Sequence, residues 1–133
     1  NVGDGITERA ESDGRLAIQT DADLDDTHPG FVMTSVLKIT GVPTRALIDA
    51  KVDGSLAGMD NLLNFDLASG ATGITDMSVI GGKVADTALF GEIKGKIDAQ
   101  AEKIKSGEVD VVNAQIGEEF DPSTCPRVTV KTA

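Results

Sequence analysis

The fold of this chain is decided by LAIQTDAD at residues 16–23 and by FVMTSVLK at residues 31–38. Each stretch starts with apolar residues suited to a buried strand and ends in charge: Asp21 and Asp23 follow the first run, and Lys38 follows the second. Parallel strands bring their carboxyl ends to one edge of a sheet, and open α/β sheets bind small polar ligands at that edge. We therefore expect two carboxylates and one ammonium group to line the same crevice.

Extended and helical patterns alternate around these two stretches. Extended patterns cover residues 15–20, 31–36, 62–67 and 108–112, and helical patterns cover residues 6–12, 44–53 and 85–106. Apolar residues recur three or four positions apart in the last helical pattern, and Gly107 follows it as a stop signal. This alternation predicts an α/β fold with a parallel sheet.

Composition restricts both the core and the partners. The chain has 133 residues, of which 40% are apolar and only 3% aromatic, so we expect an aliphatic core. The formal net charge of −10 repels phosphate backbones, which argues against nucleic acid as a partner and against direct contact with an anionic membrane. Phe65 is expected in the core rather than as a stacking platform.

The residues argue against catalysis and against a metal site. With one His and one Cys, both badly placed for it, no nucleophile–base arrangement is plausible, so we predict no catalytic residues, no enzyme activity and no cofactor. A calcium loop of the EF-hand type that began at Asp21 would need Gly at its sixth position and Glu at its twelfth, where this chain has Asp26 and Val32. We expect Asp25 and Asp26 to lie in a solvated acidic loop.

Several segments, taken in order, resemble a known family. They are GDGITERA (residues 3–10), LAIQTDAD (16–23), VMTSVLK (32–38), NFDLASGATGI (64–74) and KIKSGEVDV (103–111). Their order and spacing are similar to the C-terminal part of the basic membrane protein family, nucleoside-binding lipoproteins that serve as substrate-binding components of ABC transporters. The resemblance covers residues 1–112, and residues 113–133 form a C-terminal tail beyond it.

The resemblance implies a fold, a partner and a location. The fold would be the C-terminal half of a two-lobed, type I periplasmic-binding-protein-like architecture whose lobes close on the ligand. The N-terminal half of the same protein and an ABC permease would be the partners. The protein would be extracytoplasmic, either periplasmic or attached to the cell membrane only through a lipid on an N-terminus that this chain does not include.

The resemblance also implies roles for single residues. Gly3 and Gly5 would approach the ligand, Asp21 (with Asp23 as a further candidate) would accept hydrogen bonds from ribose hydroxyls, and Lys38 would reach the ligand's polar edge. A carboxylate can accept from both hydroxyls of a vicinal diol, and an ammonium group donates to ring nitrogens or carbonyls. The aromatic residues that stack on the base would come from the N-terminal half.

Three other interpretations stay open. The first is the same kind of receptor with a sugar or another small polar solute as its ligand. The second is a flavodoxin-like enzyme or regulatory domain, and the third is a structural fragment that binds nothing. Binding of nucleosides against sugars separates the first interpretation from ours, and turnover of a bound ligand identifies an enzyme.

Overall fold

The computed structural model describes residues 2–112 together with Gly117, Glu119 and Asp121. In chain order, the helices and strands are α1 (Val2–Ser12), β1 (Ala17–Asp21), β2 (Val32–Lys38), α2 (Gly41–Asp53), β3 (Thr72–Ile74), α3 (Ser78–Gly81) and α4 (Thr87–Lys105). A short 3-10 helix, Ser55–Gly58, follows α2. The α/β class is confirmed. Most of the predicted tail, residues 113–133, lies outside the described residues.

The three strands of the described residues form one small sheet in the order β1-β2-β3. The β1 and β2 strands run parallel, as predicted, and their register places Asp21 opposite Leu37. The β3 strand runs antiparallel to β2, with Thr72 opposite Lys38. The prediction of a wholly parallel sheet is therefore wrong, because β3 joins the free side of β2 in the opposite direction.

Two predicted strands are absent from the described part of the chain. Residues 62–67 are irregular, because Asp66 and Ser69 exchange hydrogen bonds that close a turn just before β3. Residues 108–112 are also irregular: the Val109 amide donates to the Lys103 carbonyl at 3.1 Å, so the chain folds back on the end of α4 instead of joining the sheet. Short apolar runs do not distinguish a strand from an irregular segment.

Helix α4 confirms the prediction of a long helix over residues 85–106 to within two residues at its start and one at its end. Its N-cap is Asp86, whose Oδ1 accepts a hydrogen bond from the Leu89 amide at 2.9 Å. This contact satisfies one of the amides that a first helical turn leaves free. Gly107 adopts a positive φ of 76°, which ends the helix in a conformation that glycine adopts without steric cost.

The interior of the described chain is small and half polar. Its buried apolar residues are Ala17, Val32, Ala50, Ala71, Met77 and Ile80, and its buried polar residues are Thr7, Gln19, Asp25, Thr34, Ser35 and Thr75. No residue of α4 is buried, and large aliphatic side chains such as Ile18 and Leu89 are more than half exposed. The expected aliphatic core is therefore only partly present. Within the described residues, no helix combines the length and apolar composition required to cross a bilayer.

Candidate functional site

The ends of β1 and β2 bring two opposite charges together. Because the strands are parallel and Asp21 lies opposite Leu37, Asp21 and Lys38 emerge side by side at the same sheet edge. The Lys38 Nζ lies 3.2 Å from the Asp21 Oδ1. The Asp21 side chain is 73% exposed and that of Lys38 is 69% exposed, so solvent reaches both groups. Such an exposed pair typically stabilises a fold by less than about 1 kcal/mol, which leaves its groups free to exchange partners.

The backbone at Asp21 has an unusual conformation. Its φ is 77°, in the left-handed region that residues with a β-carbon rarely adopt, although Asp and Asn tolerate it better than most. The residue is the last of β1, where the chain leaves the sheet for the loop at residues 22–31. The left-handed turn therefore sets the direction in which the carboxylate leaves the strand. Such local strain is concentrated at functional positions.

Asp21 and Lys38 line a hollow of about 290 Å³. Its remaining walls are supplied by Thr20, Val36, Leu37, Phe65, Ala71 and Thr72. The Thr72 hydroxyl donates to the Leu37 carbonyl at 3.0 Å, which ties β3 to β2 beneath the charged pair. The hollow combines two opposite charges with mostly apolar walls, an arrangement typical of small-molecule sites, and its volume is near the lower end of their size range.

The turn after Phe65 forms one side of this hollow. The Ser69 amide donates to Asp66 Oδ1 at 2.8 Å, and the Asp66 amide donates to Ser69 Oγ at 2.8 Å. The hydrogen bond from the Ser69 amide stabilises the ionised carboxylate and lowers the pKa of Asp66 below its ordinary value. This closed turn fixes Phe65 on one side and Ala71 on the other.

A buried clamp holds the loop that follows Asp21. The Ser35 hydroxyl donates to Asp25 Oδ1 at 2.6 Å and accepts from the Leu24 amide at 3.1 Å. Asp25 is only 3% exposed, so the expectation of a solvated Asp25 is wrong, whereas Asp26 is exposed as expected. The correction has a physical reason: Ser35 is fully buried in β2 and supplies the hydroxyl that a buried carboxylate requires.

The other three predicted ligand residues do not line this hollow. Asp23 is exposed, and its Oδ1 accepts from the Asp25 amide at 3.2 Å, which makes it a turn residue of the loop. Gly3 and Gly5 precede the helical pattern predicted for residues 6–12, but α1 already starts at Val2 and includes both. The Gly3 carbonyl accepts from the Thr7 hydroxyl at 3.2 Å and from Gln19 Nε2 at 3.4 Å, so it ties α1 to β1.

Two features of the surface were missed by sequence reasoning. Phe65 was assigned to the core but is half-buried on the wall of the hollow. A second, apolar groove of about 500 Å³ runs between α4 and β3 and is lined mainly by Leu67, Ile74, Ile97 and Ile104. The spacing of Ile97 and Ile104 predicts an apolar face on this helix. It does not predict that no other part of the described chain covers that face.

The search for a metal site and the comparisons with known proteins add no further evidence about this hollow. Among the described residues, no group of three or more His, Cys, Asp or Glu side chains is arranged to hold a metal ion. No protein-family model matches the chain, and no curated protein matches it. The candidate site is therefore defined by its geometry: a solvent-accessible Asp–Lys pair in a hollow at the carboxyl ends of two parallel strands.

Proposed function

We propose that this chain is part of an ABC-transporter substrate-binding lipoprotein that captures purine nucleosides or related ligands for import. The observation that supports the proposal best is the Asp21–Lys38 pair, 3.2 Å apart and lining one hollow. The carboxylate accepts hydrogen bonds only and suits the vicinal hydroxyls of a ribose. The ammonium group donates only and suits carbonyl or ring-nitrogen acceptors on the same ligand.

The hollow favours binding over reaction. It contains one carboxylate and one ammonium group, with no His or Cys among its lining residues. A pair that is already ion-paired in the free protein exchanges that contact for contacts with the ligand. We propose that the ligand leaves the protein chemically unchanged and that it is delivered to a membrane permease.

The exposed apolar surface supports a two-lobed protein. Leu16, Leu89 and Ile93 are each more than a third exposed and line one apolar hollow beside α4. Ile18, on the edge strand β1, is 59% exposed. Apolar surface of this extent marks contacts with other protein elements. In our proposal the chain is the C-terminal half of a type I periplasmic-binding-protein-like fold, and the N-terminal half of the same protein covers this surface. The lipid that attaches the protein to the membrane would belong to that half.

The ligand assignment is tested by binding measurements on the full-length gene product. Titration calorimetry should show binding of adenosine, guanosine or inosine, weaker binding of 2′,3′-dideoxyadenosine, and weaker binding still of ribose and glucose. Chromatography of the ligand after incubation should recover the intact nucleoside. Equal or tighter binding of a sugar would favour the sugar-receptor interpretation, and release of free base would identify an enzyme.

Paired substitutions test the residues. Asp21→Asn should weaken nucleoside binding at least about tenfold, because hydrogen bonds to a charged acceptor contribute about 1.5–3 kcal/mol. The matched control is Asp23→Asn, two residues away and outside the hollow, which should leave the affinity within about twofold. Lys38→Met keeps most of the side-chain length and should also weaken binding. Equal losses for Asp21→Asn and Asp23→Asn would remove the special role of Asp21.

A further inference from the structure

One aromatic side chain, that of Phe65, is among the residues that line the hollow beside Asp21 and Lys38. It is half-buried and shares the cavity wall with Asp21 and Lys38. The nearby walls are aliphatic or small, as at Val36, Leu37 and Ala71. All 4 aromatic residues of the chain are Phe, and another of them, Phe90, packs against Gly81 instead. One of the four Phe rings therefore lies beside a hollow that contains an accessible charged pair.

The backbone holds Phe65 firmly in this position. Its neighbour Asp66 shares three hydrogen bonds with Ser69, each 2.8 Å long, and the Asp66 carbonyl also accepts from the Ala71 amide at 3.2 Å. Ala71 is buried and leads directly into β3, which pairs with β2. The backbone next to Phe65 is thus tied to the same sheet that carries Lys38. A recognition group on such a fixed segment loses little freedom when a ligand binds.

The two sides of the hollow differ in what they can recognise. The Asp21–Lys38 side offers one anionic acceptor and one cationic donor, which suit hydroxyl and carbonyl groups. The Phe65 side offers a flat apolar ring, which suits another planar ring by stacking. A free sugar meets the polar side fully but offers the Phe65 ring only aliphatic C–H groups, because it has no planar π system to stack on that ring. A ligand that links a heteroaromatic ring to a polyol satisfies both.

We propose that Phe65 is the specificity-determining residue of this site, stacking on the base and so selecting nucleoside-like ligands over free sugars. The inference rests on the proposed function, because it assumes that the hollow binds a small polar solute. It assigns to this chain an aromatic contact that, by the family resemblance, would come from the N-terminal half. It also identifies which side of the hollow separates two ligand classes that share the same hydroxyl groups.

The test compares Phe65→Leu with Phe31→Leu in the full-length gene product, with adenosine and ribose as probes. Phe31 is half-buried like Phe65 but does not line this hollow, so it serves as the matched control. Phe65→Leu should weaken adenosine binding about tenfold, within the range measured for base–aromatic stacking, and leave ribose binding within about twofold. Phe31→Leu should leave both affinities unchanged. Equal weakening of adenosine and ribose by Phe65→Leu, or no weakening of adenosine, would overturn the inference.

A direct measurement keeps the proposal testable even where Phe65→Leu does not fold. In wild-type protein with isotope-labelled phenylalanine, the base protons of bound adenosine should show nuclear Overhauser contacts to the Phe65 ring, and only 4 Phe residues need assignment in this chain. Contacts to a different ring, or to none, would overturn the role of Phe65 while adenosine binding itself still supported the proposed function. A wild-type protein that binds no nucleoside would overturn both proposals.

Discussion

The residue at position 21 must meet two requirements, one on its backbone and one on its side chain. Its backbone must adopt a φ of 77° at the end of β1, and its carboxylate must reach Lys38 on the neighbouring strand. A left-handed backbone costs about 1–2 kcal/mol for most residues with a β-carbon, whereas glycine adopts it freely. If only the turn mattered, glycine would serve as well as aspartate. The presence of a strained aspartate therefore favours a role for its side chain.

This argument predicts that stability and binding separate at Asp21. Asp21→Gly should leave the free energy of unfolding within about 0.5 kcal/mol of wild type, since relief of the left-handed strain offsets the extra freedom of the unfolded chain. Asp21→Ala should destabilise by about 1 kcal/mol. Both substitutions should abolish tight ligand binding. Urea unfolding and calorimetry measure the two quantities.

Asp23 supplies the comparison, because it does not have a positive φ. Asp23→Gly gains no relief of strain and loses the hydrogen bond that Asp23 Oδ1 accepts from the Asp25 amide. It should destabilise the protein by about 1 kcal/mol, more than Asp21→Gly does. The reverse order would show that the left-handed conformation at Asp21 is not a source of strain.

At the scale of secondary structure, α3 and α4 meet at a glycine. A β-carbon added at Gly81, the last residue of α3, would lie 2.8 Å from Cε1 of the Phe90 ring, closer than a real β-carbon approaches a neighbour. Phe90 lies one turn into α4 and lines an apolar hollow with Leu16, Met33 and Ile80. The small residue in α3 thus lets the ring of α4 pack next to the sheet.

Substitution at this glycine should therefore be costly. Gly81→Ala should reduce the free energy of unfolding by about 1–3 kcal/mol, because the Phe90 ring must move from its packed position. Gly82→Ala is the matched control: its β-carbon would meet carbonyl oxygens at 3.6 and 3.7 Å, which are ordinary contacts. It should change stability by less than about 0.5 kcal/mol. Similar losses at both positions in urea unfolding would mean that the contact with Phe90 does not limit the residue at position 81.

At the scale of the whole molecule, the described chain leaves much of its apolar surface open. The sheet has an edge at β1, and Ile18 in that strand is 59% exposed. Helix α4 buries none of its residues, and Leu89 is 52% exposed. Burying a Leu side chain contributes about 1.5–3 kcal/mol to stability. Another protein element that buried this face would therefore stabilise the fold substantially. Our proposal assigns that cover to the N-terminal half of the same protein.

The same substitution should then have different effects in two proteins. In the 133-residue chain, Leu89→Gln should change the free energy of unfolding by less than about 0.5 kcal/mol, because the side chain is already more than half exposed. In the full-length gene product, it should cost at least about 2 kcal/mol. Glu92→Gln on the same helix should have little effect in either protein. A small effect of Leu89→Gln in both would show that the N-terminal half does not cover this face.

Some features of the fold and of the candidate site could be predicted because they depend on neighbours along the chain. The repeat of apolar residues in α4 and the Gly107 stop predicted that helix, and the apolar runs before Asp21 and Lys38 predicted β1 and β2. Parallel pairing then places both strand ends at one edge, which accounts for the contact between Asp21 and Lys38. Their ligand remains a prediction, as does the family resemblance.

Other features depend on residues far apart in the sequence, so only the tertiary structure decided them. Residues 72–74 form β3 because they pair with the edge of β2 that β1 leaves unpaired. Asp25 is buried because the Ser35 hydroxyl donates a hydrogen bond to it. Phe65 lines the hollow because the Asp66–Ser69 turn places it beside the ends of β1 and β2. The sequence of a segment indicates how its apolar residues are spaced, and so whether it forms a helix or a strand, and which charges lie at its end. Which segments come into contact depends on packing and hydrogen bonding between residues far apart in the sequence. These long-range contacts form the walls of the hollow around Asp21 and Lys38, whose positions at the strand ends the sequence predicts.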